Sequence, residues 1–534
     1  MAERVADVKA TDKVAIIGAG LSGVGMAIQL KRLLSHDNFE LFEKYDDIGG
    51  TWSQNTYPNL SCDVPSEFYS YSFFQKPDWS QKFAPQPEIL EYMHDCVVHF
   101  QLGPHIHLQQ ECTSISWSEE DSIWNLSFND LLHHKSYTIQ ARFVVTATGV
   151  LNIPKGLDDL PELRNFGGQC FHTSQWRDID FDDKRVMVIG NGCSGNQVIP
   201  WILSERRPKS LVQIVRSPQW IAPKPNYLVS GFTKWYTTLC SISVIIVDSS
   251  KFHRCLRYIP FAMRLRRLWT AYKLDNSFIA MMATDQGTKA RRTVMDAVRS
   301  YMKSIASPRY HDVLLPHYEL GAKRPVMDDG YLNATNRENF TLIQCDGISA
   351  IEGDQRKTVV DKVGNKHEVD IVILANGFKT QELLTPMKVQ GIGGKDLRET
   401  WESKGGSEAY MGVSVNGFPN FFMLIGPNTL PSNNSTLHAI ECSIVYVTRL
   451  LKGGWARSGG DRRNPLVLMP TPEAEVQFNA MIQRKMKDLV YTSQVSTWYI
   501  NKDTGKNTLI WPGTQFSFWR SRCVSPIRWS DWTV

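Results

Sequence analysis

No two of the ten cysteines stand in a CxxC pair, and their spacing is irregular. They read as reduced thiols of a cytosolic compartment, not as a disulfide framework. Charge of one sign is also scarce: 59 Lys+Arg against 54 Asp+Glu leave +5 over 534 residues. That excludes a dedicated nucleic-acid binder while leaving room for local basic pockets. The longest apolar run, between Lys234 and Asp248, falls short of the ~20 residues that span a bilayer. The opening MAERVADVKATDK is too polar for a signal peptide. A soluble, cytoplasmic protein is therefore expected. His94, His99, His105 and His107 cluster in sequence, but no HExxH or cysteine pair accompanies them, so no metal is expected. Hydrophobic residues make up 42% and charged residues 21%, the composition of a globular chain, with room for three or four domains at roughly 150 residues each.

Two segments carry nucleotide-binding chemistry. Val14–Ile17 is an apolar, β-rich run followed at once by Gly18-Ala19-Gly20-Leu21-Ser22-Gly23 and then by an apolar-periodic helix. Strand, GxGxxG, helix is the context in which glycines allow a tight turn and a close backbone approach, and a helix N-terminus attracts phosphate. The next strand, Phe39–Phe42, ends at Glu43, 20 residues beyond Gly23. A carboxylate there accepts a ribose diol and repels a 2′-phosphate, so the ligand should be FAD or NAD. The pattern recurs at Val186–Ile189, followed by Gly190-Asn191-Gly192-Cys193-Ser194-Gly195 and Asn196-Gln197. Here the following strand, Leu211–Val215, ends at Arg216, 21 residues beyond Gly195. Arg216 with Ser217 suits a 2′-phosphate, and the second ligand should be NADP. A nucleophile elbow at the second motif would need GxSxG, and Asn196 occupies its last glycine position.

A chain that binds both cofactors is most simply a flavin reductase or a flavin monooxygenase. Phe166-Gly167-Gly168-Gln169-Cys170-Phe171-His172-Thr173-Ser174-Gln175-Trp176 fits FxGxxxHxxxW just before the second fingerprint. With it the sequence resembles the Baeyer–Villiger monooxygenases, flavoprotein oxygenases close to the flavin-containing monooxygenases. Arg177 stands where that family usually has Pro or Asp. The resemblance runs along nearly the whole chain. Gly49-Gly50-Thr51-Trp52, Tyr57-Pro58, Ser61-Cys62-Asp63-Val64 and Tyr69-Ser70-Tyr71 look like its flavin-proximal loop. Gly321-Ala322-Lys323-Arg324-Pro325 looks like the loop that carries its active-site arginine. Val372–Phe378 resembles the return strand, with Asn376 where Thr is usual, and Gly426-Pro427-Asn428 with Asn434-Ser435 resembles the approach to a helix whose N-terminus faces the flavin.

This resemblance implies an α/β fold with two Rossmann-like dinucleotide-binding domains. An FAD-binding domain would comprise residues 1–153 and 376–534, the second segment including a C-terminal tail. An NADP-binding domain, 154–375, would be inserted into it, with a helical excursion at about 225–310. It implies FAD and NADPH as cofactors, a small-molecule ketone and molecular oxygen as partners, and a monomer. The product would be an ester or lactone, made through a C4a-peroxyflavin. Arg324 would be the catalytic cation and Asp63 the carboxylate that pairs with it. Gly18, Gly20, Ser22, Gly23, Glu43, Gly50, Thr51, Trp52, Ser61, Cys62, Asp63 and Tyr69 would hold FAD. Gly190, Asn191, Gly192, Ser194, Gly195, Gln197, Arg216, Ser217 and Lys323 would hold NADP. His172 is read as part of a hinge, not as a proton shuttle, and Trp498 as pocket lining or core. The aromatic tail, Trp498, Trp511, Phe516, Phe518 and Trp519, points to a large apolar substrate such as a polyketide or terpenoid ketone. The acid-free stretch 251–273 carries seven basic residues, and a solvated face on a packed helix is expected there in preference to membrane contact. An N- or S-oxidising flavin monooxygenase and a non-oxygenating FAD/NADP redox protein remain as alternatives.

Overall fold

Short, wholly apolar strands dictate parallel sheets covered on both faces, because only such strands can be buried on either side. The computed structural model describes residues 12–224, 261–431, 434–462, 464–492, 495 and 497–534. It is a mixed α/β structure containing two five-stranded parallel sheets. In the first the order is Phe421–Met423, Phe143–Thr146, Val14–Ile17, Phe39–Phe42 and Ile106–His107. In the second it is Phe340–Gln344, Ser210–Val215, Arg185–Ile189, Ile371–Leu374 and Gln169–His172. Both middle strands are buried along their apolar run and pair in parallel on each side. The first sheet draws one edge strand from beyond residue 420, so segments from both ends of the chain complete it. All strands of the second lie between residues 169 and 374.

An antiparallel meander of Gln110–Ser118, Ile123–Asp130 and Lys135–Ala141 covers the first sheet. Its buried Trp124, Leu126 and Phe128 pack under Phe42, Val144 and Phe421. On the other face, helix Leu21–Leu34 lies along helix Thr436–Arg457. Gly25 lets them close, since a Cβ there would stand 2.9 Å from Ile444 Cδ1.

The helical excursion is described from residue 261 onward, as helices Ala262–Asn276 and Asp285–Ile305. Residues 225–260, with the apolar run before Asp248 and the first part of the basic stretch, lie outside the described residues. In helix Ala262–Asn276 the expected solvated basic face holds for the exposed Arg264 and is corrected for Arg266 and Arg267. Arg267 is buried and pairs with Glu441 at 2.7 Å, and Arg266 pairs with Glu67 at 3.3 Å. Leu265 and Leu268 are each 66% exposed instead. The buried carboxylates of Glu67 and Glu441 draw the guanidiniums inward, because an unpaired buried charge costs more than an exposed leucine. No helix of the described residues is long and apolar enough to cross a membrane. The eight described cysteines are free.

Each Gly-rich turn depends on the absence of a side chain. Gly18 has φ +105°, and a Cβ on Gly23 would lie 1.9 Å from the Gly18 carbonyl oxygen. Backbone oxygen cannot yield as a flexible side chain can. Gly23→Ala should therefore lower the unfolding free energy by about 3 kcal/mol or more. Urea denaturation followed by circular dichroism checks this; a loss below about 1 kcal/mol would show that helix and strand can part without cost.

Candidate active site

Open parallel sheets bind ligands outside the carboxyl ends of their strands, where neighbouring connections diverge. Both glycine turns occupy such points, and they face one cleft of about 1060 Å³. Of the residues assigned from sequence to catalysis or cofactor binding, every one lines this cleft except Gly23 and Gly195. Those two stand behind it and pack the helices against their strands, Gly195 with a would-be Cβ 2.7 Å from the Gly190 oxygen.

The first half of the cleft is built around Glu43. Its Oε2 accepts the Ala19 N–H at 2.8 Å and its Oε1 the Tyr45 N–H at 3.2 Å. Burial raises its pKa, and these N–H groups oppose the rise. A Cβ on Gly20 would make only ordinary contact with Gly50, 3.6 Å from its Cα. Trp52 Nε1 donates to the Tyr69 hydroxyl at 3.1 Å, fixing one wall. The buried Asn434 amide nitrogen, just before helix Thr436–Arg457, has no hydrogen-bond partner among the described residues. A glycine turn and a carboxylate at the strand end fit a dinucleotide with a free ribose diol.

The second half is basic. Asn191 Nδ2 donates to the Ser217 carbonyl at 2.7 Å, and Lys323 Nζ donates to Ser217 Oγ at 2.6 Å. Burial, then the Arg216 charge, lowers the Lys323 pKa to about 8. Gly192 leaves open space at the N-terminus of helix Cys193–Glu205. This donor set fits a phosphate-bearing dinucleotide with an extra phosphate on its ribose.

Between the halves lies Arg324. Its Nε and Nη2 both donate to Asp63 Oδ2, at 2.9 and 2.8 Å. Each side chain remains about a quarter exposed toward the cleft. The Asp63 charge raises the Arg324 pKa against the opposing effect of burial, and the buried Tyr499 lies close enough to add to it. The cation is thus permanent, oriented, and shielded from bulk water on one side.

A family model described as flavin-binding monooxygenase-like matches residues 11–225. A Baeyer–Villiger monooxygenase of Pseudomonas aeruginosa is 35% identical over 96% of this chain and 89% of its own length. Another, from Streptomyces coelicolor, is 32% identical over 95% and 90%. The chain belongs to the Baeyer–Villiger monooxygenase family. Among solved structures, an oxidised steroid monooxygenase bound to NADP superposes with a TM-score of 0.73 at 25% identity, covering 95% of this chain and 96% of that one. Membership makes the protein a flavin-dependent monooxygenase.

His172 does not line the cleft. Burial lowers its pKa to about 4, so the ring is neutral; Nε2 lies 3.2 Å from the Gly377 carbonyl and Nδ1 accepts the Ser174 N–H at 3.1 Å. The aromatic tail is corrected: Trp498 alone of its five residues faces the cleft. Trp511 and Phe518 stack on buried Arg522, whose guanidinium carbon is 3.5 Å from the Phe518 ring centre, and Phe516 is 61% exposed. A buried guanidinium with few acceptors recruits ring faces, and this holds those aromatics in the core. Sequence reasoning missed Lys224, Asp329 and Tyr499, which surround the Arg324–Asp63 pair; none belongs to a spaced pattern that could have revealed it. It also missed Lys155 and Lys502, which line the cleft from opposite halves of the chain.

The Lys323 amine should titrate at about pH 8. Arg216→Ala removes a like charge and should move that midpoint upward, toward the ordinary lysine value near 10.4. Reductive ¹³C-methylation with NMR titration measures it. A wild-type midpoint already above about 10 would show that the amine is solvated rather than buried.

Proposed function

We propose that this chain is an FAD-containing Baeyer–Villiger monooxygenase that uses NADPH and O2 to convert a large apolar ketone to an ester or lactone. The observation that carries this reading is the doubly hydrogen-bonded Arg324–Asp63 pair set between an acidic and a basic nucleotide turn in one cleft. In this reading residues 1–153 and 376–534 form the FAD-binding domain, and 154–375 the inserted NADP-binding domain. Glu43 and the Gly18–Gly23 turn hold FAD. Arg216, Ser217 and Lys323 hold the 2′-phosphate of NADPH, with the Gly190–Gly195 turn beneath the pyrophosphate.

The bound flavin supplies hydride acceptance and oxygen activation. The chain supplies the environment. Arg324 offers a fixed positive charge to oxygen atoms that become negative while oxygen is inserted beside the carbonyl, and a charge fixed beforehand costs no reorganisation at that moment. Asp63 holds the guanidinium plane, which lysine could not present in the same forked geometry. Leu384, Met387, Ile425, Leu430, Ile440 and Trp498 line the same cleft and would receive the apolar body of the ketone while excluding water. The protein would act as a monomer.

The test begins with purified, FAD-loaded protein. NADPH consumption should rise on adding a ketone, and mass spectrometry with labelled dioxygen should find one new oxygen in the product. Turnover of amines or sulfides, with peroxide release for every ketone, would replace this reading with N- or S-oxidation. Arg324→Ala should keep FAD and lose ester formation by at least roughly 10²-fold, while Arg324→Lys keeps part of the activity. Near-normal oxygenation by Arg324→Ala would reduce the pair to a structural ion pair. For Arg216→Ala, the KM for NADPH should rise far more than that for NADH, because only NADPH loses a charge-assisted phosphate contact. Equal changes in the two constants would remove Arg216 from the phosphate site.

A further inference from the structure

A buried ion pair stands on the same support as Arg324. Strands Ile221–Pro223 and Val326–Asp328 form a two-stranded parallel ribbon in which Pro223 is opposite Asp328. Arg324 precedes the second strand, Asp329 follows it, and Lys224 follows the first. Lys224 and Asp329 form an ion pair, each side chain no more than 6% exposed. Lys224 Nζ also donates to Ser61 Oγ at 2.7 Å, two residues before Asp63. Gln197, on the helix of the second glycine turn, completes the network. Its Nε2 donates to the Ser61 carbonyl at 3.0 Å and to Asp329 Oδ2 at 3.2 Å, and its Oε1 accepts the Tyr57 hydroxyl at 3.0 Å. Asn59 Nδ2 donates to the Gln197 carbonyl at 3.1 Å.

Loop 57–63 is therefore clipped to the ribbon at two places, at Asp63 by Arg324 and at Ser61 by Lys224, and to the second glycine-turn helix by Gln197. A buried ion pair adds little net stability compared with apolar residues of similar volume. Its worth lies in geometry, because Lys224 and Asp329 are satisfied together only in one relative placement of loop, ribbon and helix. We infer that Lys224 and Asp329 are positioning residues which, through Ser61 and Gln197, hold the Asp63–Arg324 pair in register with the helix of the second glycine turn. This rests on the monooxygenase reading above. The consequence is specific: without the second clip, NADPH still binds, but the arginine is no longer held where oxygen transfer needs it. Reducing equivalents then leave as hydrogen peroxide.

The variant to make is Lys224→Met with Asp329→Leu, which leaves no lone buried charge and so avoids the folding failure expected of either single change. Ser61→Ala, which removes the Lys224–Ser61 bond and the longer bond from Gln197 Nε2 to the same hydroxyl at 3.4 Å, is the milder companion. Results are normalised to bound FAD. The expected outcome for the double variant is ketone turnover down by about tenfold, a displacement cost of the kind known for misplaced catalytic groups. The KM for NADPH should stay within about twofold, most of the NADPH consumed should appear as peroxide, and Ser61→Ala should move the same way to a smaller extent. Independently of turnover, the change in flavin absorbance on adding NADP⁺ to oxidised, FAD-loaded protein should differ from wild type at an unchanged dissociation constant. Wild-type turnover, coupling and difference spectrum in the double variant would overturn the inference. A tenfold rise in KM at unchanged turnover would also overturn it and place the pair in the dinucleotide site itself. Failure of the wild-type protein to oxygenate any ketone would sink the functional reading alone, since the difference spectra still decide the positioning role.

Discussion

A guanidinium at the floor of a cleft has to be paired, or the cost of removing it from water expels it. Arg324 is paired by a carboxylate 261 residues away in the chain, on a loop that follows the first glycine turn, while the arginine itself rides on a ribbon beside the second sheet. The pair exists only when loop and ribbon meet. Everything that docks the two sheets therefore also builds the charge at the centre of the cleft. The Lys224–Asp329 pair and the Tyr57–Gln197 contact lie at the same seam. The seam thus gathers charges that a globular core would ordinarily leave to solvent.

The connections between the sheets share this economy. Lys155 N–H donates to the Gly377 carbonyl at 2.9 Å and Lys379 N–H to the Ile153 carbonyl at 2.8 Å, so the outgoing and returning segments are bound side by side. His172 rests against the same Gly377 carbonyl and stays neutral through burial. On the far side, Arg267 reaches from helix Ala262–Asn276 to Glu441 on helix Thr436–Arg457, and Glu441 Oε1 in turn accepts both the N–H and the hydroxyl of Ser72, at 2.7 Å each. The excursion thereby braces the loop that carries Tyr69. A flavoprotein oxygenase needs such rigidity, because water admitted to its cleft competes with the substrate for the chemistry.

Much of this was legible in the residues. The strands before both glycine turns, and the acid at one strand end and the cation at the other, each lie within a few residues of a local signal; the loop bearing Arg324 was legible only through the family resemblance. Local signals survive because parallel strands and helix N-termini impose their requirements on short windows. The aromatic tail misled: aromatic richness says that rings are buried, not what buries them, and Arg522 claimed Trp511 and Phe518. The basic stretch misled for the mirror reason, since charge predicts exposure only where no buried carboxylate waits, and Glu67 and Glu441 were invisible from residues 264–267.

By itself the sequence determined the two glycine turns and the opposite charges at the strand ends that follow them, because backbone geometry and the sign of a charge are properties of neighbouring residues; the central arginine was named through the family resemblance. Only the tertiary structure decided that both turns open into one cleft, that Asp63 holds Arg324 by two hydrogen bonds, and that Lys224 and Asp329 stand behind them. Those are contacts between segments more than a hundred residues apart, and no spacing encodes them. They arise where buried charges must find partners across a seam, and only the docking of the two sheets specifies which partners those are.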